Sequence, residues 1–178
     1  KDLDFFNIYH GFMLPIRQSG IREIHLGLVG IQSGGEIDMW RSYFGRRLRI
    51  WGFDINPLVE AELHDPPKNV HISTGSQGDE SYLRSLCHSW PELDIVIDDA
   101  SHVPSHQIAT FEILFRRLRP NGVYIVEDLF WSIGQDEKRL KDDVNASIFT
   151  YLKKREEQLQ RSVIYRKGNG WWGRHIES

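Results

Sequence analysis

Cysteine is nearly absent: Cys87 is the one cysteine among 178 residues. No disulfide can form within the chain, which fits a reducing compartment and a cytoplasmic location. Long apolar runs are missing as well. No stretch approaches the ~20 residues of a membrane-spanning helix, and no signal peptide is visible, so no membrane partner is expected. Nor is there a large excess of one charge sign. The formal net charge of -3 offers no general attraction to nucleic acid or anionic lipid. Basic residues gather locally in "FGRRLRI" and "FRRLRP", which read as solvated helix ends and loops. No internal repeat and no linker divides the chain, and its first residue is Lys1 rather than methionine, which leaves room for an upstream segment. One further absence bears on function. The dinucleotide fingerprint G-x-G-x-x-G does not occur after the first apolar run, which argues against a standard NAD site.

What the chain does contain is ordinary for a globular protein, with 40% hydrophobic and 26% charged residues. Short apolar runs alternate with amphipathic stretches. "EIHLGLVGI" (23–31), "LRIWGFDI" (48–55), "VHISTG" (70–75), "LDIVIDD" (93–99) and "VYIVED" (123–128) read as strands. "GEIDMWRSYFG" (35–45), "DESYLRSLCHSW" (79–90) and "PSHQIATFEILFRRL" (104–118) read as helices, the first stopped by Gly45 and the last opened by Pro104. "RPNG" (119–122) breaks the chain before the fifth strand. Strands apolar on both faces and separated by helices predict an α/β fold, a doubly wound, mostly parallel Rossmann-like sheet with helices on both faces. The expected organisation is a single domain over 1–178. Residues 1–22 form a covering segment, 23–128 the core sheet, and 129–178 a lid, a C-terminal helix and an edge strand at 161–167.

The first strand-to-helix turn, "GIQSGG", brings Gly30, Gln32 and Gly34 to where a ligand can approach the backbone and the N–H groups of the next helix. Asp54 ends the second strand, beside that turn, where a carboxylate can accept both hydroxyls of an adenosine ribose. An Asp before Asn56-Pro57 also serves as a simple turn cap. The combination favours an adenosyl ligand without choosing among NAD, S-adenosylmethionine (SAM) and others. Gln77 and Asp79 in "TGSQGD" stand where a base edge would lie, and Asp98 is grouped with the same cofactor contacts.

Two strands end in acid, "IVIDDASH" and "VYIVEDLFW". If these strands are neighbours, with axes ~4.8 Å apart, Asp99, Glu127 and Asp128 converge at the carboxyl edge of the sheet. Carboxylates that close repel one another unless a cation joins them, and hard oxygen donors suit Mg²⁺ or a similar divalent ion. The plainer reading is that these acids cap helices or pair with arginine. His102 follows on the same loop, and an imidazole there can act as general base toward a substrate hydroxyl. His106 raises the idea of a zinc pair with His102, but Pro104 starts a helix between them and no cysteine is near. Glu112 reads as a surface residue or one supporting the site.

At these residues the chain resembles a known group. "GIQSGGEIDMW", "GFDINP" and "LDIVIDDASHVPSHQIATFEILFRRLRPNGVYIVEDL" are similar to class I SAM-dependent methyltransferases of antibiotic biosynthesis, in particular the macrolide-sugar O-methyltransferases of the mycinamicin type and the cephalosporin hydroxylase family. The resemblance implies metal ligation by Asp99, Glu127 and Asp128, catalysis by His102 and ribose binding by Asp54. It also implies SAM and Mg²⁺ as cofactors and a small-molecule acceptor bearing a hydroxyl, of sugar or polyketide type. The chain departs from the pattern in several places. Leu28 stands where a glutamate is usual, Ser76 replaces an acid, Ala100 replaces a glycine, and "LFWSIG" follows Glu-Asp. Those departures keep a second reading open, a methyltransferase-like binding or docking domain without catalysis, ahead of an NAD-type oxidoreductase. Phe130, Trp131, Trp171 and Trp172 line a lid over the acceptor or serve as core and homo-oligomer contacts.

Overall fold

The most apolar runs lie at the middle of the sheet. The computed structural model describes residues 3–59, 68–129 and 148–161, and in it five parallel strands line up in the order β3-β2-β1-β4-β5. They are β1 (Ile24–Val29), β2 (Leu48–Asp54), β3 (Val70–Thr74), β4 (Leu93–Asp98) and β5 (Leu118–Val126). Every residue of β4 is buried, and in β1 only His25 is not fully so. A central strand is covered on both faces, which is why these two read as continuous apolar runs rather than alternating ones.

The helices are α1 (Leu3–Gln18), α2 (Gly35–Phe44), α3 (Glu80–Ser89), α4 (Pro104–Leu114) and α5 (Ile148–Arg161). Side chains alternate across a strand, and the sheet accordingly carries two cores. On one face Leu26, Leu28, Ile50, Ile95 and Ile97 pack with Tyr9 and Met13 of α1 and with Ile37 and Trp40 of α2. On the other, Val29, Phe53 and Val96 meet Leu83 and Leu86 of α3 and Ile113 and Leu114 of α4. Helices on both faces of a parallel sheet make the doubly wound α/β architecture that the periodicity predicted.

Local chemistry sets the helix ends. Asp79 caps α3 by accepting from the N–H groups of Ser81 and Tyr82. Gly45 closes α2 at φ +68°, donating its N–H to the Arg41 carbonyl. Carbonyls at and just beyond the C-terminus of α1 are met from outside. Arg47 donates to the carbonyls of Ser19 and Ile21 at 3.0 Å each and to that of Arg17 at 2.5 Å, fastening the end of α1 to the start of β2.

Two boundaries differ from expectation. The helix predicted over 104–118 ends at Leu114, and Phe115–Arg117 form a tighter 3-10 turn. β5 starts at Leu118, before the "RPNG" breaker, because Leu118 pairs with Leu93 and pairing resumes between Val123 and Ile95. The four residues between form a bulge, held where Arg119 bonds both carboxylate oxygens of Asp94 at 3.1 and 3.0 Å. Within the C-terminal segment, Ile148–Arg161 is helical, as expected for that stretch. Its Tyr151 and Arg155 both bond Glu112 of α4. Arg161, where the expected edge strand at 161–167 was to begin, is instead the last residue of α5; the rest of that stretch and Phe130, Trp131, Trp171 and Trp172 lie outside the described residues. Among the described residues no helix is long and apolar enough to cross a membrane.

Leu26 is fully buried at the centre of the larger core. Leu26→Ala should cost about 2–5 kcal/mol of unfolding free energy, read as a lower urea midpoint with an unchanged slope.

Candidate active site

The chain runs outward from β1 to β2 and β3, then crosses to β4 on the other side of β1. The gap above β1 and β4 is therefore the topological switch point, where open α/β sheets bind ligands. The backbone ladder continues past the strand ends there. Gly30 donates to the Phe53 carbonyl at 3.0 Å, Asp99 to Val29 at 2.9 Å, and Glu127 to Asp98 at 2.9 Å. These bonds fix the order of the loops across the crevice and bring Asp99 beside the Glu127–Asp128 pair.

Backbone strain gathers on the same edge. Gln32, His102 and Asp128 take φ of +49°, +55° and +52°, and Gly30 and Gly34 take +88° and +79°. Non-glycine residues in this region are uncommon and cluster at functional sites. Gly30 has a second requirement: a Cβ there would collide with the backbone carbonyl of Asp99. The sequence suggested that this glycine admits a ligand. The fold adds the close passage of the loop that follows β4.

Two overlapping sets of side chains face the crevice. Asp99, His102 and Asp128 each offer a ligand atom within 4.8 Å of the others, and so do Glu36, Asp99 and Glu127. Asp99 belongs to both. His102 Nε2 lies 3.9 Å from Asp99 Oδ1 and 3.7 Å from Asp128 Oδ2, while its Nδ1 is buried with no hydrogen-bond partner among the described residues. Asp128 is the most open of the three acids at 39% side-chain exposure, and Glu127 is buried at 5%. Oxygen donors of this density suit a small hard cation. The arginines that bond carboxylates among the described residues do so elsewhere, at Asp94, Glu23, Glu80, Asp38, Glu92 and Glu112.

Two residues of this edge were not singled out from the sequence. Glu36 sits in the first turn of α2, where an acid is normally explained by the helix dipole. Tyr9, on α1, donates its hydroxyl to Glu127 Oε1. Burial, followed by the charges of Glu127, Asp99 and Asp128, holds that phenol far above its usual range. Only the "GGE" run hinted at Glu36, and no local signal marked Tyr9.

Asp54 lies against the first turn. Its Oδ2 accepts from the N–H groups of Ile31 at 2.8 Å and Gln32 at 3.0 Å, and its Oδ1 from Asn56 at 2.9 Å. Gln77 and Asp98 face inward and bond each other, Gln77 Nε2 donating to Asp98 Oδ1 at 2.7 Å. Burial pushes the Asp98 carboxyl up to about 7, with the Asp99 charge adding to the effect and the Gln77 bond opposing it. The other end of Gln77 accepts from the N–H and hydroxyl of Ser101 at 3.1 and 2.7 Å. His106 Nδ1 lies 3.0 Å from that hydroxyl, so His106 braces the loop and does not join His102 in a ligand set. Leu28 is part of the core, and Ser76 accepts from the Gly78 N–H at 3.2 Å.

No family model matches the chain. Individual proteins do. The chain is 33% identical over 158 residues to the 8-demethyl-8-alpha-L-rhamnosyl tetracenomycin-C 2'-O-methyltransferase of Streptomyces olivaceus, covering 86% of this chain and 40% of that protein. It is 34% identical over 138 residues to the demethylmacrocin O-methyltransferase of Streptomyces fradiae, covering 73% of this chain and 34% of that one. Among solved structures it superposes with a TM-score of 0.75 and 25% identity on the MycE methyltransferase of the mycinamycin biosynthetic pathway, in complex with Mg and SAH, covering 95% of this chain and 44% of that one. The chain thus spans less than half the length of these relatives.

The Asp54 carboxyl is held below its usual range: burial raises it, but the backbone N–H groups of Asn56, Ile31, Gln32 and Ile55 outweigh that. A depressed acid stabilises the fold above its unfolded value, near 3.8, and loses that contribution as pH falls through the folded one. Asp54→Asn should therefore lower stability at neutral pH, and the gap to wild type should close below pH 3.8. Urea titrations of both proteins across that range check this; a gap independent of pH contradicts it.

Proposed function

By fold the chain belongs to the class I methyltransferases and by sequence it is a homologue of the tetracenomycin- and macrolide-sugar O-methyltransferases, and from that premise we propose that it methylates a sugar hydroxyl of a macrolide- or polyketide-type glycoside. SAM is the methyl donor and Mg²⁺ the divalent cofactor in this reading, with residues 1–178 as one methyltransferase domain working in the cytoplasm. One observation carries the proposal: Asp99 stands within reach of both acid groups and of His102 at the switch point.

The residues fit both groups. Asp99, Glu127 and Asp128 would hold the cation, with Glu36 close by. The Gly30, Gln32 and Gly34 turn with Asp54 would take the adenosyl part. Asp54 accepts from the Ile31 and Gln32 N–H groups of that turn, which fixes its carboxylate beside the adenosyl position. Gln77 and Asp98 support the same edge from below. When bound, the cation supplies Lewis acidity toward an acceptor hydroxyl and fixes its position.

A sulfonium methyl carbon is electrophilic without assistance, so the chain has two tasks, to hold the acceptor oxygen in line and to remove its proton. His102 takes that proton at Nε2, the nitrogen that faces Asp99 and Asp128. The two carboxylates then stabilise the imidazolium that forms. The left-handed backbone at His102 and Asp128 aims both side chains into one space, which a relaxed turn would not do.

Incubation with methyl-labelled SAM, Mg²⁺ and glycosides carrying free sugar hydroxyls tests the reading. Label should reach the glycoside, and a chelator should stop it. Asp99→Asn should abolish the Mg²⁺-dependent turnover, and His102→Gln should lower kcat by about 10²–10⁴-fold. Full activity at saturating chelator would remove the metal role. Absence of SAM binding by calorimetry, with the fold intact, would favour the non-catalytic docking domain.

A further inference from the structure

We infer that Tyr9 is a positioning residue for this crevice: its phenol holds the Glu127 carboxylate in the orientation a divalent cation requires, which makes the docking of α1 part of the metal site. The inference rests on the reading of Asp99, Glu127 and Asp128 as cation ligands.

Tyr9 and Glu127 are 118 positions apart and meet in a buried side-chain bond, the hydroxyl donating to Oε1. Tyr9 is 3% exposed and Glu127 5%. A carboxylate so enclosed cannot turn to water, and each oxygen must find its partner in the protein. With one oxygen held by the phenol, rotation about the carboxylate axis is restricted. The phenol itself is fixed. Its ring stands edge-on to Trp40, with centroids 5.2 Å apart at 65°, and Met13 from its own helix lies in the same core. Because its hydroxyl is committed to Glu127 Oε1, Tyr9 acts as a donor and not as a ligand. Partners that orient metal ligands in this way typically contribute 10–100-fold to affinity. Packing alone would give no such effect, because Tyr9→Phe retains the ring.

The test uses Mn²⁺ as the probe on the full chain, with free ion measured by electron paramagnetic resonance. Wild type should bind Mn²⁺ saturably, Asp99→Asn should lose the site, and Tyr9→Phe should bind roughly 10–100-fold more weakly. Trp40→Phe perturbs the same α1–α2 contact without touching the hydroxyl and should bind as wild type does. Equal affinity in wild type and Tyr9→Phe overturns the inference, and so does an equal loss in Tyr9→Phe and Trp40→Phe. In either case a site still lost in Asp99→Asn leaves the metal reading standing. A wild type that binds no Mn²⁺ removes both. If Tyr9→Phe does not fold, 3-fluorotyrosine placed at position 9 gives a second readout: its fluorine resonance should shift on Mg²⁺ addition, and an unmoved resonance overturns the proposal.

Discussion

The Asp99 amide donates to the Val29 carbonyl at 2.9 Å, and the crevice is arranged around that bond. It extends the β1–β4 ladder one step beyond the strands, so the loop after β4 crosses directly over Gly30. No side chain fits beneath it, which is why residue 30 has no Cβ. Once the loop is pinned there, the next ladder step, from Glu127 to Asp98, sets the neighbouring acids alongside. Backbone hydrogen bonding thus assembles the charged side chains, in spite of their mutual repulsion.

Neighbouring residues meet that repulsion in opposite ways. Asp98 is the last residue of β4 and points inward, fully buried and paired with Gln77. Asp99 is the first residue beyond and faces the crevice with His102 and the other acids. Strand alternation separates the two carboxylates onto different faces. The inward one belongs to the scaffold, since the Gln77–Ser101–His106 chain of bonds runs from it to the loop that carries His102. The outward one lies 3.9 Å from His102 Nε2 and shares the crevice with Asp128.

Much of this was legible in the sequence, for stated reasons. Strands buried on both faces are apolar without interruption, so β1 and β4 announced themselves, and acids directly after such runs marked the carboxyl edge. Other parts were not legible. Glu36 occupies a helix first turn, where the dipole already accounts for an acid. Tyr9 carried no local signal because its partner is far away in the chain. Gly30 drew attention as a place where a ligand can near the backbone, and the close passage of the loop after β4 was beyond any local signal. The "RPNG" run read as a stop because a propensity argument cannot see Asp94, whose pairing with Arg119 holds the bulge inside the strand. His106 drew attention through its spacing from His102, and only the fold showed that Ser101 was its partner.

The bond between Tyr9 and Glu127 joins the earliest described helix in chain order with the residue that follows the fifth strand. A chain emerging from the ribosome therefore exposes α1, with Tyr9 and Met13 uncovered, while most of the sheet is still unmade. The crevice cannot begin to close until the residues after β5 have cleared the exit tunnel. Assembly of the site is thus a late event in the birth of the protein, however early its first contributor appears.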